Sequence, residues 1–138
     1  MPRSGAINPL TRELTFSDLS YTFTAHPVTG KLPTLKNEKA VANAVKNAVL
    51  TNRFEKPYNP YFGSDVYARL FENFGPITET NVRRDIELAI QNFEPRAEVL
   101  DVTVVARENY NQLDINITFL VTNQADPTTL QLKIERIR

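Results

Sequence analysis

The hydrophobic period of this chain changes once, at Phe93-Glu94-Pro95-Arg96. Before that point Val82, Ile86, Ala89, Ile90 and Phe93 recur at spacings of three and four, which lays one apolar stripe along a helix. After it Leu100, Val102 and Val104 alternate with Asp101 and Thr103, the period of a strand covered on one face. Pro95 enforces the stop: it has no amide hydrogen, clashes with the preceding turn and pushes Glu94 out of helical angles. Glu94 and Arg96 are thereby expected in an extended segment of nearly fixed direction at the mouth of a sheet. On these residues alone two readings stand. They are a helix stop with two solvated charges, a surface pair contributing about 0–1 kcal/mol, or a pair presented to a partner.

Downstream the strand period persists. Leu113, Ile115, Ile117, Phe119 and Val121 alternate with Asp114, Asn116 and Thr118, and Leu130, Leu132 and Ile134 alternate with Gln131, Lys133 and Glu135. Turn chemistry separates the runs at Arg107–Asn111 and at Asn123–Pro127. Three sequential strands with short connections form an antiparallel meander whose apolar face is packed by helices. The last strand is expected at an edge, with unpaired amides and carbonyls. Lys133, Glu135, Arg136 and Arg138 then either blunt that edge or flank a place where a partner adds a strand.

Upstream, residues 1–36 hold four of the nine prolines and little periodicity. They are expected as an extended arm with a short strand over Ser20–Thr24 and a turn at His26–Gly30. Leu14, Phe16, Leu19, Tyr21 and Phe23 need cover from their own domain or a neighbour, and the start of the arm is expected to be ordered mainly by partners. Asn37 is placed to cap a helix from Glu38 to about Asn52, with Val41, Ala44, Val45, Ala48 and Val49 as its apolar face. Arg53–Ser64 combines two prolines and a glycine with four aromatics, so an irregular but packed connector is expected. Ser64 is placed to cap a short helix bearing Val66, Leu70, Phe71 and Phe74, and Thr78 to cap the helix that ends at Phe93. The expected architecture is an arm over 1–36 followed by one α+β domain over 37–138, about three helices packed on a small antiparallel β-meander.

Composition narrows the chemistry. With 138 residues a single domain buries roughly two-thirds of its extended surface. Sixteen Lys and Arg balance sixteen Asp and Glu, so no global field draws the chain to nucleic acid or a membrane surface. Cysteine is absent and His26 is the one histidine, so neither thiolate chemistry nor a His-based metal centre is expected, and no cofactor motif is present. No apolar run approaches the roughly 20 residues of a membrane span, and no apolar signal core follows Met1–Gly5, so a soluble chain without an export signal is expected. No phosphate loop or nucleophile elbow occurs. Glu55, Glu72 and Glu94 are the acids that would serve a glycoside hydrolase, but none lies in a stretch that marks a pocket.

Several of these stretches, in order, resemble the gene-25-like (GPW) family of contractile-tail baseplate wedge proteins, which includes a type VI secretion baseplate component. The pieces are the turns around Asn8-Pro9 and His26-Pro27-Val28-Thr29-Gly30, the helix ending Ala48-Val49-Leu50-Thr51-Asn52, Arg53-Phe54-Glu55-Lys56-Pro57-Tyr58-Asn59-Pro60-Tyr61-Phe62-Gly63-Ser64, Leu70-Phe71-Glu72, and Glu94-Pro95-Arg96 ahead of the meander. The resemblance implies a structural, non-enzymatic subunit of the baseplate in a virion, assembled in the host cytoplasm. It implies that Glu94, Pro95 and Arg96 contact a helical wedge core made by other wedge proteins. It also implies that the last strand, through Leu130, Leu132, Lys133, Ile134, Glu135 and Arg136, faces the tail sheath protein by β-strand addition and offers a platform for the first sheath ring. The alternatives are a peptidoglycan-cleaving, lysozyme-like baseplate enzyme and a strand-addition adaptor outside any tail.

Overall fold

The computed structural model describes residues 16–136. The Asn8-Pro9 turn, Leu14 and Arg138 lie outside them. In chain order the elements are β1 (Ser17–Leu19), β2 (Thr34–Lys36), α1 (Glu38–Leu50), α2 (Val66–Arg69), α3 (Pro76–Phe93), β3 (Ala97–Arg107), β4 (Gln112–Val121) and β5 (Pro127–Glu135). β1 and β2 form an antiparallel ribbon in the arm, and β3, β4 and β5 form the expected antiparallel meander in that order. The class is α+β, as the change of period predicts.

β4 is the central strand, and its alternation is complete: Leu113, Ile115, Ile117, Phe119 and Val121 are buried while the residues between them are not. From α1, Val41, Val45 and Val49 pack on this face; from α3, Val82, Ile86 and Ile90 do so, with Val66 and Leu70 closing the end near α2. Fully burying one such side chain is worth about 1.5–3 kcal/mol, so this continuous cluster is what holds helices and sheet together. Arg69 ties α2 to α3 by donating from Nε to Asp85 at 3.0 Å, and it also donates from Nη1 to Glu72, in the turn after α2, at 2.8 Å. Both hydrogen bonds, Asp85's first, raise its already high pKa.

Four local expectations are corrected. The arm strand lies at Ser17–Leu19, with Ser20–Thr24 outside it. Its register is fixed where the Phe16 carbonyl accepts from the Asn37 amide at 2.8 Å and the Phe16 amide donates to the Asn37 side chain at 3.3 Å. For the same reason Asn37 does not cap α1 with its side chain. Of the two later caps, Ser64 acts as expected: its hydroxyl oxygen accepts from the Val66 amide at 3.4 Å at the start of α2 while the hydroxyl donates to the Val49 carbonyl at 2.5 Å. The other is displaced: α3 starts at Pro76, and Thr78 donates to the Asn73 carbonyl at 2.7 Å. In β3 the register slips between Val99 and Asp101, a bulge that turns Leu100 outward to 54% exposure and brings Ala97, Val99, Val102 and Val104 to the core side.

Candidate functional site

α3 runs to Phe93, and the Glu94 amide still donates to the Ile90 carbonyl at 2.8 Å, but the Glu94 backbone has left helical angles at φ −133 and ψ 73. Pro95 then turns the chain toward the sheet, and the Glu94 carbonyl accepts from the Ala97 amide at 3.1 Å as β3 begins. The Arg96 carbonyl is held in turn by Thr122, whose amide and hydroxyl donate to it at 2.9 and 3.1 Å. The junction is thus fixed from both sides.

Its two charges are not placed alike. Glu94 is 4% exposed, and Arg96 donates to both its carboxylate oxygens, from Nε at 2.5 Å and from Nη2 at 2.7 Å. The guanidinium stays partly in solvent and lies 5.2 Å from the centre of the Phe16 ring. The hydrogen bonds of this fork, and after them the charges of Glu94 and Asp18, raise the pKa of Arg96, with burial opposing them. The expectation that the proline presents both charges is corrected here: Glu94 faces inward and orients Arg96, and Arg96 alone faces out. A cleft of about 490 Å³ opens beside the fork, between α1, the Arg53–Ser64 connector and Phe93.

The second predicted site, β5, is an edge of the sheet. The Arg136 amide donates to the Asn111 carbonyl, and antiparallel bonds alternate from that pair, so the main chains of Leu130, Leu132 and Ile134 bond to β4. The amides of Gln131, Lys133 and Glu135 therefore point away from the sheet. Leu132 and Ile134 are buried by their side chains, and Lys133, Glu135 and Arg136 are exposed. The opposite edge, β3, is interrupted twice, by the bulge at Leu100 and by Glu79 of α3, whose carboxylate accepts from the Ala106 amide at 2.9 Å. Among the described residues no side chain bonds to a β5 amide in this way.

The profile of a family described as "Baseplate wedge protein gp25" matches residues 36–126. This chain belongs to that family. Baseplate wedge protein gp25 of Enterobacteria phage T4 is 33% identical over 97 residues, covering 70% of this chain and 73% of that protein. In the baseplate of the anti-feeding prophage, a chain with the same fold aligns with a TM-score of 0.69 at 23% identity, over 81% of this chain and 90% of its own. A protein of Geobacter sulfurreducens described as a tail lysozyme aligns with a TM-score of 0.66 at 25% identity, over 73% of this chain and 92% of its own. The matched gp25 segment takes in α1, the connector, α3, the Glu94–Arg96 fork and β4.

Within this gp25-family domain the connector is a feature whose orientation the sequence did not give. Phe54, Tyr58 and Tyr61 point outward, and only Phe62 of the four aromatics turns in, its ring 4.9 Å from that of Phe93. The density of aromatics and prolines marked the segment, but nothing in it told which rings face out.

Proposed function

We propose that this chain is a structural subunit of a contractile-tail baseplate wedge, located in the virion at the tail baseplate. Glu94-Pro95-Arg96 docks on a helical core made by neighbouring wedge proteins. The β5 edge takes a strand from the tail sheath protein and so serves as the platform for the first sheath ring. The observation that carries this reading is the fork on Glu94. An arginine already held in one direction loses little side-chain freedom on binding, and its remaining N–H groups suit carboxylates or the open carbonyls at a helix end of a partner. The outward amides of Gln131, Lys133 and Glu135 support the second contact, because strand addition needs a row of free donors and acceptors.

Co-purification with the other proteins of its own tail cluster tests the wedge contact. Wild type should capture a wedge core, and Arg96→Ala should lose it while remaining folded. Equal capture by both would place the contact elsewhere.

The description of the Geobacter sulfurreducens neighbour raises one alternative, a peptidoglycan-cleaving enzyme. The carboxylates it would need are otherwise engaged. Glu72 pairs with Arg69 at 2.8 Å, Glu55 accepts from the Asn52 amide at 2.9 Å, and Glu94 is forked by Arg96. Clearing of a cell-wall suspension by wild type, abolished in Glu72→Gln, would establish the enzyme instead.

A further inference from the structure

The Arg53–Ser64 connector is built as a rigid loop. Its ends meet in a bridge between Asn52 and Ser64, where the Ser64 amide donates to the Thr51 carbonyl at 2.9 Å, and the Phe54 amide crosses it to the Pro60 carbonyl at 2.7 Å. Ends that close on each other around a self-packed segment are the mark of a compact Ω-loop. Phe54 and Tyr58 sit at φ 67 and 66, a region that aromatic residues rarely adopt. Gly63 has φ +108 and lies so close to Thr51 that a Cβ would run into the Thr51 carbonyl. Strained backbone held by its surroundings gathers where a fixed shape is used.

What that strain holds in place is a set of rings aimed at water. Phe54 is 76% exposed, Tyr61 is 73% exposed and Tyr58 is fully exposed, although rings of this size gain most from burial. Beside Tyr61 a recess of about 260 Å³ runs down to Leu88, Ala89 and Phe93 on the last turns of α3. Phe93 lines this recess and also the cleft beside Glu94, and Glu55, Lys56 and Phe62 of the loop line that cleft with Glu94, so the loop borders both the recess and the acid that holds Arg96.

We propose that the Arg53–Ser64 loop is a second contact for the same helical wedge partner that meets Arg96, with Phe54, Tyr58 and Tyr61 as its apolar anchors and the recess beside Leu88 taking one aliphatic side chain of that partner. The inference rests on the wedge reading of the junction and extends it along α3. Interfaces draw most of their energy from a few rigid aromatic and arginine anchors, and this surface brings both kinds together on preorganised backbone.

The experiment uses the full chain in cells carrying the whole tail cluster, with a photo-crosslinking phenylalanine analogue at Tyr58 and, separately, at the exposed Glu98 beside the junction. Adducts from both positions to the same wedge protein are expected. An adduct from Glu98 with none from Tyr58, or one from Tyr58 to a different protein, overturns the loop assignment and leaves the junction reading intact. No wedge adduct from Glu98 overturns the junction reading and the inference together. In capture assays Tyr58→Ser with Tyr61→Ser should weaken binding at least about tenfold without changing the melting temperature, since both rings are exposed; unchanged capture also overturns the loop assignment.

Discussion

Arg96 grips Glu94 through both carboxylate oxygens, at 2.5 and 2.7 Å, with the acid buried and the base half in water. The pair therefore divides its work. Glu94 fixes a direction, and Arg96 carries it to the surface.

Removing the arginine strands a buried carboxylate, so Arg96→Ala should cost about 1–3 kcal/mol of stability in urea unfolding, near the lower end of what breaking a buried pair costs because Arg96 is partly solvated. Glu94→Gln/Arg96→Ala leaves no stranded charge and should recover part of that loss. If the double variant recovers stability yet captures no wedge core, the binding defect belongs to Arg96 itself and not to a weakened fold.

Gln131→Pro should leave the fold close to wild type while blocking strand addition on β5, because it removes an amide that points away from the sheet. Leu132→Pro, one residue on, takes away a ladder bond and should unfold the hairpin. Sheath recruitment and circular dichroism read on both variants check the pair of outcomes, and unimpaired recruitment by Gln131→Pro would count against the β5 edge.

Phe119→Ala should destabilise by about 3–5 kcal/mol, since it empties the middle of the central strand at a fully buried position. Leu100→Ala should fall within about 0.5 kcal/mol, because the bulge has turned that side chain outward. Denaturant midpoints decide, and comparable losses at both positions would mean that the register of β3 is not the one described.

Asp114 gives a pH dependence of known sign. Its hydrogen bond from Arg107, helped by Gln112, holds the carboxyl below the ordinary range. A lowered folded-state pKa contributes stability that is present above the unfolded value of about 4 and is lost as pH falls through the folded value. Melting temperatures of wild type and Asp114→Asn should therefore differ at neutral pH and converge in acid.

Gly63→Ala should cost more than about 1 kcal/mol, since the new Cβ meets backbone at Thr51 and the residue must hold a positive φ. Limited proteolysis within Arg53–Ser64 should quicken in parallel.

What the sequence disclosed, it disclosed where burial differs between neighbouring residues. β4 is legible because every odd position from Leu113 to Val121 is buried, and the end of α3 because Pro95 stops its apolar stripe, whereas its start was read late, at Thr78, because Pro76 reads equally well as the stop of the helix before it. Leu100 was misassigned because Val99 and Leu100 are both apolar, and a bulge between two such residues leaves no trace in an alternating pattern. Ser20–Thr24 alternates well, but with no buried face to select a register, its neighbours Ser17–Leu19 pair instead, guided by the Phe16 and Asn37 bonds. Glu94-Pro95-Arg96 was found through its proline. That Glu94 points inward was not legible, because it depends on where α1 and the connector, distant in the chain, close on the cleft that Glu94 lines.

Glu79 reaches from α3 to the Ala106 amide on one rim of the sheet, and nothing comparable among the described residues covers the other. A β-sheet with two open rims has the valence of a polymer unit and keeps growing. One whose second rim is obstructed has a valence of one: it ends a chain of strands or begins one, and a single carboxylate in the right place keeps it from becoming a link.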